Sequence, residues 1–347
     1  MRETASLFPI IAGALLAFGC TTENDNPYAA LEHTRPIPSW ADVLLTSNLH
    51  APGEGAPREV FALSSSDGRL EQLTFPNAAH PMRDYVQISP ISDAGRIVLL
   101  ERTAEIDSPY SGDPAGSAVF LDLTRGVRSD LSSAGDVVTS VDASPVASLV
   151  VFSTRGTNGK NEILWRELSS TNVTSQALTQ TPEIDERHPR FDRGGRVITF
   201  ERNANETPSE IWLLFAVNSG NRITEGGPAG SALPETPYRV GSDADPCFSP
   251  DNYWVVFRRL TSVGDGRHGD WEILVVDSNG DNAPSSIVTG ARYRGAPDWD
   301  SRGIVFTEWD STSNRWSVVV VDPDGSNRRS VLEREAPIRF DSPRWIP

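Results

Sequence analysis

Few residues of this sequence are spaced for chemistry. The five histidines, His33, His50, His80, His188 and His268, are scattered, with no two at i and i+4. There is no G-x-S-x-G elbow, no H-E-x-x-H pair and no phosphate-binding glycine loop. The stretch Asp322-Pro-Asp324-Gly-Ser-Asn327 has the look of a calcium loop, and Glu333 stands eleven residues beyond Asp322. An EF-hand, however, needs glycine at its sixth place and helices on both sides. Here Gly325 is fourth and the flank Val318 to Val321 reads as a strand, so a hairpin turn is expected. Asp277-Ser-Asn279-Gly280-Asp281 has the same explanation.

What remains is a set of residues that stand just before recurrent short strands: Tyr85, Ser140, His188, Asp245, Ala296 and Ser342. His188 and Asp245 are the pair that could exchange protons. A metal would need more convergent ligands than these two, so no metal and no cofactor is expected. The formal charge of −16 repels phosphate backbones, and no Lys/Arg cluster offsets it, so no nucleic-acid partner is expected.

The strands that would position these residues recur along the chain. One copy is DPCFSPDNYWVVFRR from Asp245, followed by WEILVVDSNGDN from Trp271. Others are APDWDSRGIVFTEWD from Ala296 with WSVVVVDPDGSN from Trp316, and HPRFDRGGRVITFERN from His188 with EIWLLFAVNSGN from Glu210. Less regular copies start at Val141, with a second strand from Glu162, and at Val86, with a second strand from Ala118. The strand-ending residues Leu100, Phe152, Phe200, Phe257 and Phe306 are 52, 48, 57 and 49 apart.

Each copy has the same physical grammar. A short strand ends at a Pro/Asp/Gly turn, which supplies the tight reversal. Two near-continuous apolar runs follow, too short for helices and apolar on both faces. Such strands belong to sheets packed between neighbours. The first unit lacks its opening strand, beginning at Ala41 and passing through Glu59 and Leu70. The last stops at DSPRWIP from Asp341, an opening strand with nothing after it. Joining the two completes a unit and removes an open sheet edge. The expected fold is therefore all-β: a six-bladed propeller of four-stranded antiparallel blades, closed by pairing the C-terminal strand with the N-terminal blade.

The Pro-x-Trp/Phe-Ser-Pro-Asp motif, the paired apolar strands, the Asp-Gly turn and the Leu-Thr ending resemble the TolB-type propeller repeat. The resemblance covers roughly residues 41 to 347 and implies fold more than function, because propellers host binding proteins, lyases and peptidase accessory domains alike. TolB proteins carry an additional N-terminal domain. Here residues 21–40, polar and without periodicity, read as a flexible tether ahead of one propeller domain over 41–347.

The first twenty residues read as an export signal. Arg2 is basic, Leu7 to Phe18 is apolar but too short to span a bilayer, and Gly19-Cys20 follows. This resembles a bacterial lipoprotein signal, which implies a lipid on Cys20 and a lipid anchor to a membrane. Thr21 stands where aspartate often directs inner-membrane retention, so outer-membrane anchoring in the cell envelope is expected. The second cysteine, Cys247, lies in a predicted core strand, and no disulfide is implied.

In a propeller the loops joining the second to the third strand, and each blade to the next, emerge on one face, and the long loops of this sequence belong to that class. Here they are Asn48 to Pro57, Thr103 to Ser117, Thr261 to Asp270 and Glu225 to Ala244. Loops on a rigid scaffold are common recognition sites. A non-enzymatic scaffold binding an envelope protein through that face is therefore the expected function. The alternatives are a channel-mouth enzyme, a polysaccharide lyase or hydrolase using His188 and Asp245, and a propeller that binds carbohydrate or another small ligand. Tyr85, Ser140, His188, Asp245 and Ser342 are the channel-mouth candidates. Trp254, Trp271, Trp299, Trp316 and Trp345 are expected to pack between blades, while Trp309 lies near a strand end.

Overall fold

The computed structural model describes residues 33–50, 52–53, 56–76, 84–91, 95–102, 116–133, 135–146, 148–168, 175–204, 207–216, 219–232, 238–264 and 268–347. Cys20, the export signal and residues 21–32 lie outside the described residues, as does most of the loop from Thr103 to Ser117. Among the described residues there is no helix, and the fold is an all-β, propeller-like arrangement.

Along the chain the strands form antiparallel sheets. The N-terminal sheet runs in the order Phe340–Trp345, Val43–Ser47, Glu59–Leu63, Leu70–Gln72, with the last strand of the chain beside the first long one. Val43 pairs with Trp345 and Ser47 with Phe340. Strands Asp84–Pro90, Arg96–Arg102, Gly116–Asp122 and Val127–Asp130 follow, then Val138–Ala143, Leu149–Arg155, Asn161–Glu167 and Gln176–Ala177. These eight make one hydrogen-bonded sheet, because Val138 pairs with Gly116. That is a departure from separate four-stranded units. Two four-stranded sheets come next, Asp185–Phe191 to Ser219–Arg222 and Asp243–Phe248 to Ser285–Val288. The C-terminal sheet has five strands, since its opening segment is split into Tyr293–Arg294 and Asp298–Asp300.

The apolar runs are continuous because successive residues serve two different cores. Val43 and Leu45 pack with Val305, Trp316 and Val318 of the C-terminal sheet, while Leu44 and Val60 pack with Ile88, Ile97 and Leu99. The alternation repeats along the chain: Val98 and Leu100 meet Val141 and Phe152, and Val151 and Ile163 meet Ile198 and Phe200. Ile211 and Leu213 meet Val255 and Phe257, and Val256 and Ile273 meet Ile304 and Phe306. Each fully buried side chain of this size contributes about 1.5–3 kcal/mol, so cooperation between sheets, not any one sheet, holds the fold.

Residues 33–40 of the segment read as a tether are held on this body. His33–Thr34 pairs with Thr74–Phe75, and Ile37 and Trp40 pack against the Leu44 core. Of the strand tryptophans, Trp271, Trp299, Trp316 and Trp345 are buried as expected. Trp254 is not: it is 43% exposed, beside Tyr253 at 71%, at the first position of its strand after the hairpin turn.

Candidate functional site

The opening strands Asp84–Pro90, Val138–Ala143, Asp185–Phe191, Asp243–Phe248 and Phe340–Trp345 pack against one another side by side. Their sequences are polar, yet DERH at 185–188 is buried throughout. Buried polar groups need partners, so these strands must satisfy each other.

Local backbone aims the side chains. His188, Asp245 and Ser342 have φ of 47°, 52° and 47°, each immediately before a proline. A shift in register accompanies each, between Arg187 and Arg190, Ala244 and Cys247, and Asp341 and Arg344. The left-handed conformation is costly for residues other than glycine, although histidine and aspartate tolerate it better than most. The bulge turns the side chain toward the adjacent strand.

His188 and Asp245 come together as the sequence suggested, but a third residue organises them. His188 Nδ1 lies 2.6 Å from Glu201 Oε1 and 3.7 Å from Asp245 Oδ1. Glu201 Oε1 also accepts from the Asp245 backbone N–H at 2.6 Å, and Oε2 from the Tyr238 hydroxyl at 3.1 Å. Arg258 Nε donates to Asp245 Oδ2 at 2.5 Å, and its guanidinium lies 4.0 Å over the Trp271 ring. Burial by itself would raise the Asp245 carboxyl, but Arg258 and then His188 outweigh it and hold the carboxyl below its ordinary range. Two carboxylates thus face one guanidinium, and His188 Nδ1 lies within reach of both.

Chemically, the group can do two things. His188 with Glu201 is an imidazole oriented by a carboxylate, suited to moving a proton. His188, Glu201 and Asp245 can also each offer one ligand atom, all within 4.8 Å of one another. One imidazole and two carboxylates suit a divalent cation such as zinc or manganese. Glu201 supplies the third ligand that His188 and Asp245 lacked.

The other candidates serve structure. Ser140 Oγ accepts from the His188 backbone N–H at 3.1 Å and contacts Ser153 Oγ at 2.6 Å. Ser342 Oγ donates to the Val86 carbonyl of the neighbouring sheet at 3.1 Å. Tyr85 is buried in the Leu44 core. Glu201, Tyr238 and Arg258 were missed. A signal for two of them existed: Ser153, Glu201 and Arg258 each directly follow a strand-ending phenylalanine, and each faces the preceding bulge.

The cluster shares its end of the molecule with the long loops. Asp84 pairs with Arg102 and Arg102 with Gly116, so these three strand ends lie side by side. By the same register, Ser262 pairs with Asp270 three residues beyond Arg259, the partner of Asp243, and Ser47 pairs with both Glu59 and Phe340. An aromatic group lies at this end as well. His268 is 4.8 Å from Trp309 and 5.2 Å from Tyr293, and Trp309 stacks at 6.3 Å on Trp316. His268 and Trp309 are half-buried, so their rings are partly open to solvent. The Asp277 and Asp322 turns are closed by their own backbone and side chains, with Asp277 accepting from the Asn279, Asp281 and Asn282 N–H groups.

No family model matches this sequence, and no curated protein sequence matches it. Among solved structures, TolB from Acinetobacter baumannii is similar over 90% of this chain and 68% of that one, at 16% identity and a TM-score of 0.64. A TolB described as putative from Agrobacterium tumefaciens is similar over 88% and 98%, at 14% identity and 0.57. A chain of a nidogen/laminin complex is similar over 88% and 98%, at 10% identity and 0.60. The fold is a TolB-like β-propeller.

Proposed function

We propose that this chain is a binding propeller of the cell envelope, anchored by lipid on Cys20 and capturing an envelope protein on its loop-rich face. In this reading the sheets are six four-stranded blades closed into one ring. Support for closure comes from the pairing of Val43–Ser47 with Phe340–Trp345 and from the sequence of shared cores, which returns from the C-terminal sheet to the N-terminal one. The lipid anchor and outer-membrane placement rest on the sequence at residues 1–21.

The observation that carries the binding role is the half-buried aromatic group of Trp309 and His268. Partly exposed aromatic rings are common anchors of protein interfaces. Shape similarity to a chain of a nidogen/laminin complex is compatible with such use. The test is crosslinking in intact envelopes followed by purification, comparing the natural chain with a Trp309→Ala, His268→Ala variant. A defined partner should be captured by the first and lost from the second, with the variant still folded. Equal capture by both, or no partner at all, would overturn the assignment.

One observation favours a second reading. The His188–Glu201 pair beside Asp245 is arranged for proton transfer or for a divalent cation, which an enzyme such as a polysaccharide lyase or hydrolase would use. Turnover of a polysaccharide library by the purified chain, lost in His188→Ala, would establish it. Carbohydrate binding without turnover would place the chain among small-ligand propellers.

A further inference from the structure

Four side chains, not three, bring donor atoms to the His188 cluster. His188 comes from the strand Asp185–Phe191, Glu201 from Ile198–Asn203, and Asp245 from Asp243–Phe248 of the next sheet. The fourth is Tyr238, whose hydroxyl lies 3.4 Å from His188 Nδ1 and 3.1 Å from Glu201 Oε2. Tyr238 stands in the irregular segment ahead of Asp243, and its ring is held edge-on to Trp271 at 5.2 Å.

Spacing separates a group that moves a proton from one that holds an ion. Around a tetrahedral zinc with bonds of about 2.1 Å, neighbouring ligand atoms stand about 3.4 Å apart. His188 Nδ1 is 3.4 Å from the Tyr238 oxygen and 3.7 Å from Asp245 Oδ1. Glu201 Oε1, at 2.6 Å, is closer than that edge. A carboxylate turns easily about its last torsion, so the small widening needed there is cheap.

Burial points the same way. Glu201 and Tyr238 are 1% and 3% exposed, and His188 and Asp245 are each 8% exposed. Openings that small suit an ion better than a sugar or a peptide. Arg258 decides which Asp245 oxygen is offered. Its Nε donates to Oδ2 at 2.5 Å and its Nη1 to the Arg294 carbonyl at 2.8 Å, so Oδ1 is the oxygen turned toward His188. A partner that orients a ligating side chain in this way is a regular part of metal sites.

We propose that the cluster is a structural zinc site whose ligands are His188 Nδ1, Asp245 Oδ1, a Glu201 carboxylate oxygen and the Tyr238 hydroxyl. It rests on the cation reading of this cluster and adds the fourth ligand, the metal and a purpose. The ion ties together two neighbouring sheets and the irregular segment between them, so its binding energy is stability of the folded chain. Calcium and magnesium prefer oxygen ligands alone, and one donor here is an imidazole nitrogen. Capture of a protein partner does not depend on the site.

The test is titration of the metal-stripped full chain with cobalt(II), a coloured stand-in for zinc, and then with zinc. One equivalent of cobalt should give the intense visible bands of a four-coordinate site. One equivalent of zinc should bleach them, whereas calcium and magnesium should not. Zinc should also raise the melting temperature. Tyr238→Phe and His188→Ala should each weaken cobalt more than about tenfold, since losing even a group that orients a ligand costs that much. In the natural chain cobalt should broaden the His188 ring resonances, which locates the ion even if both variants fail to fold. The weak bands of six-coordinate cobalt, unmoved His188 resonances, or full binding by either variant would overturn the proposal. Zinc bound without turnover of any polysaccharide would support the site and remove only the enzymatic reading. A partner captured by a chain that binds no metal would remove the site and leave the capture role standing.

Discussion

Replacing Trp345 by alanine should unfasten the two ends of the chain from each other. Trp345 is followed by Ile346 and Pro347, is 2% exposed, and pairs with Val43. Its indole fills the core shared by Val43, Phe61, Val305 and Val318, so truncation costs about 3–5 kcal/mol in lost transfer and cavity terms. The indole N–H also donates to the Gly303 carbonyl at 3.0 Å, which adds about 1 kcal/mol. Arg302 lies 4.5 Å over the ring, contributing a further ~0.5 kcal/mol at its partly exposed position. The total, about 4.5–6.5 kcal/mol, is a large share of the roughly 5–15 kcal/mol available to a folded protein. Urea unfolding followed by far-UV circular dichroism should show a much lower midpoint. Native-state amide exchange should accelerate first in Val43–Ser47, the partner of the lost strand. Trp254→Ala is the control: at 43% exposure it should cost under about 1 kcal/mol. If the two variants unfold at the same urea concentration, the C-terminal strand is an appendage and the reasoning about shared cores fails.

Acid should weaken the fold through identifiable carboxylates. Burial would raise Asp298 and Asp341, but Arg190 and Arg193 hold the first below its ordinary range, and Arg339 and Arg58 the second. A carboxyl lowered in the folded state adds stability above its unfolded value of ~3.9 and loses it as pH falls through the folded value. Asp142 and Asp243, raised by burial despite their arginines, act in the opposite sense, since acidification relieves their buried charge. The melting temperature should therefore drop below about pH 4, and Asp341→Asn, less stable at neutral pH, should show a shallower drop. An unchanged slope in that variant would remove Asp341 from the account. Burial pushes the Cys247 thiol up to about 12, so in a Cys20→Ser background it should resist maleimide at neutral pH and react only on unfolding. Rapid labelling of the native chain would show that its strand opens in the folded state. Glu201→Gln should loosen His188 and Tyr238 together, read as a shift in the His188 ring resonances and in their titration. Unaltered resonances would mean that Glu201 does not orient the imidazole.

Much of the architecture was legible because its physics is local and repeated. A four- to seven-residue run of Val, Ile and Phe bounded by Pro/Asp/Gly turns can only be a strand buried on both faces, and residues 41–63 and 341–347 each lack what the other provides. The tether reading was weaker, since nothing periodic in residues 33–40 announces that His33–Thr34 pairs with Thr74–Phe75. Trp254 opens its strand as Trp271 nearly does, yet Trp271 is buried in a core and Trp254 is 43% exposed, a difference the strand pattern does not carry.

By itself the sequence determined the strands, their order, and the repeat position from which His188, Asp245 and Ser342 are displayed. Only the tertiary structure decided which of those positions meet. Arg190 bonds Asp298 across 108 residues, and Tyr238 reaches Glu201 from an irregular segment. A repeat of about fifty residues presents each opening strand in the same way, so each packs beside several others. The choice among them is made by side-chain length, charge and the turn of a bulge, none of which leaves a period in the sequence.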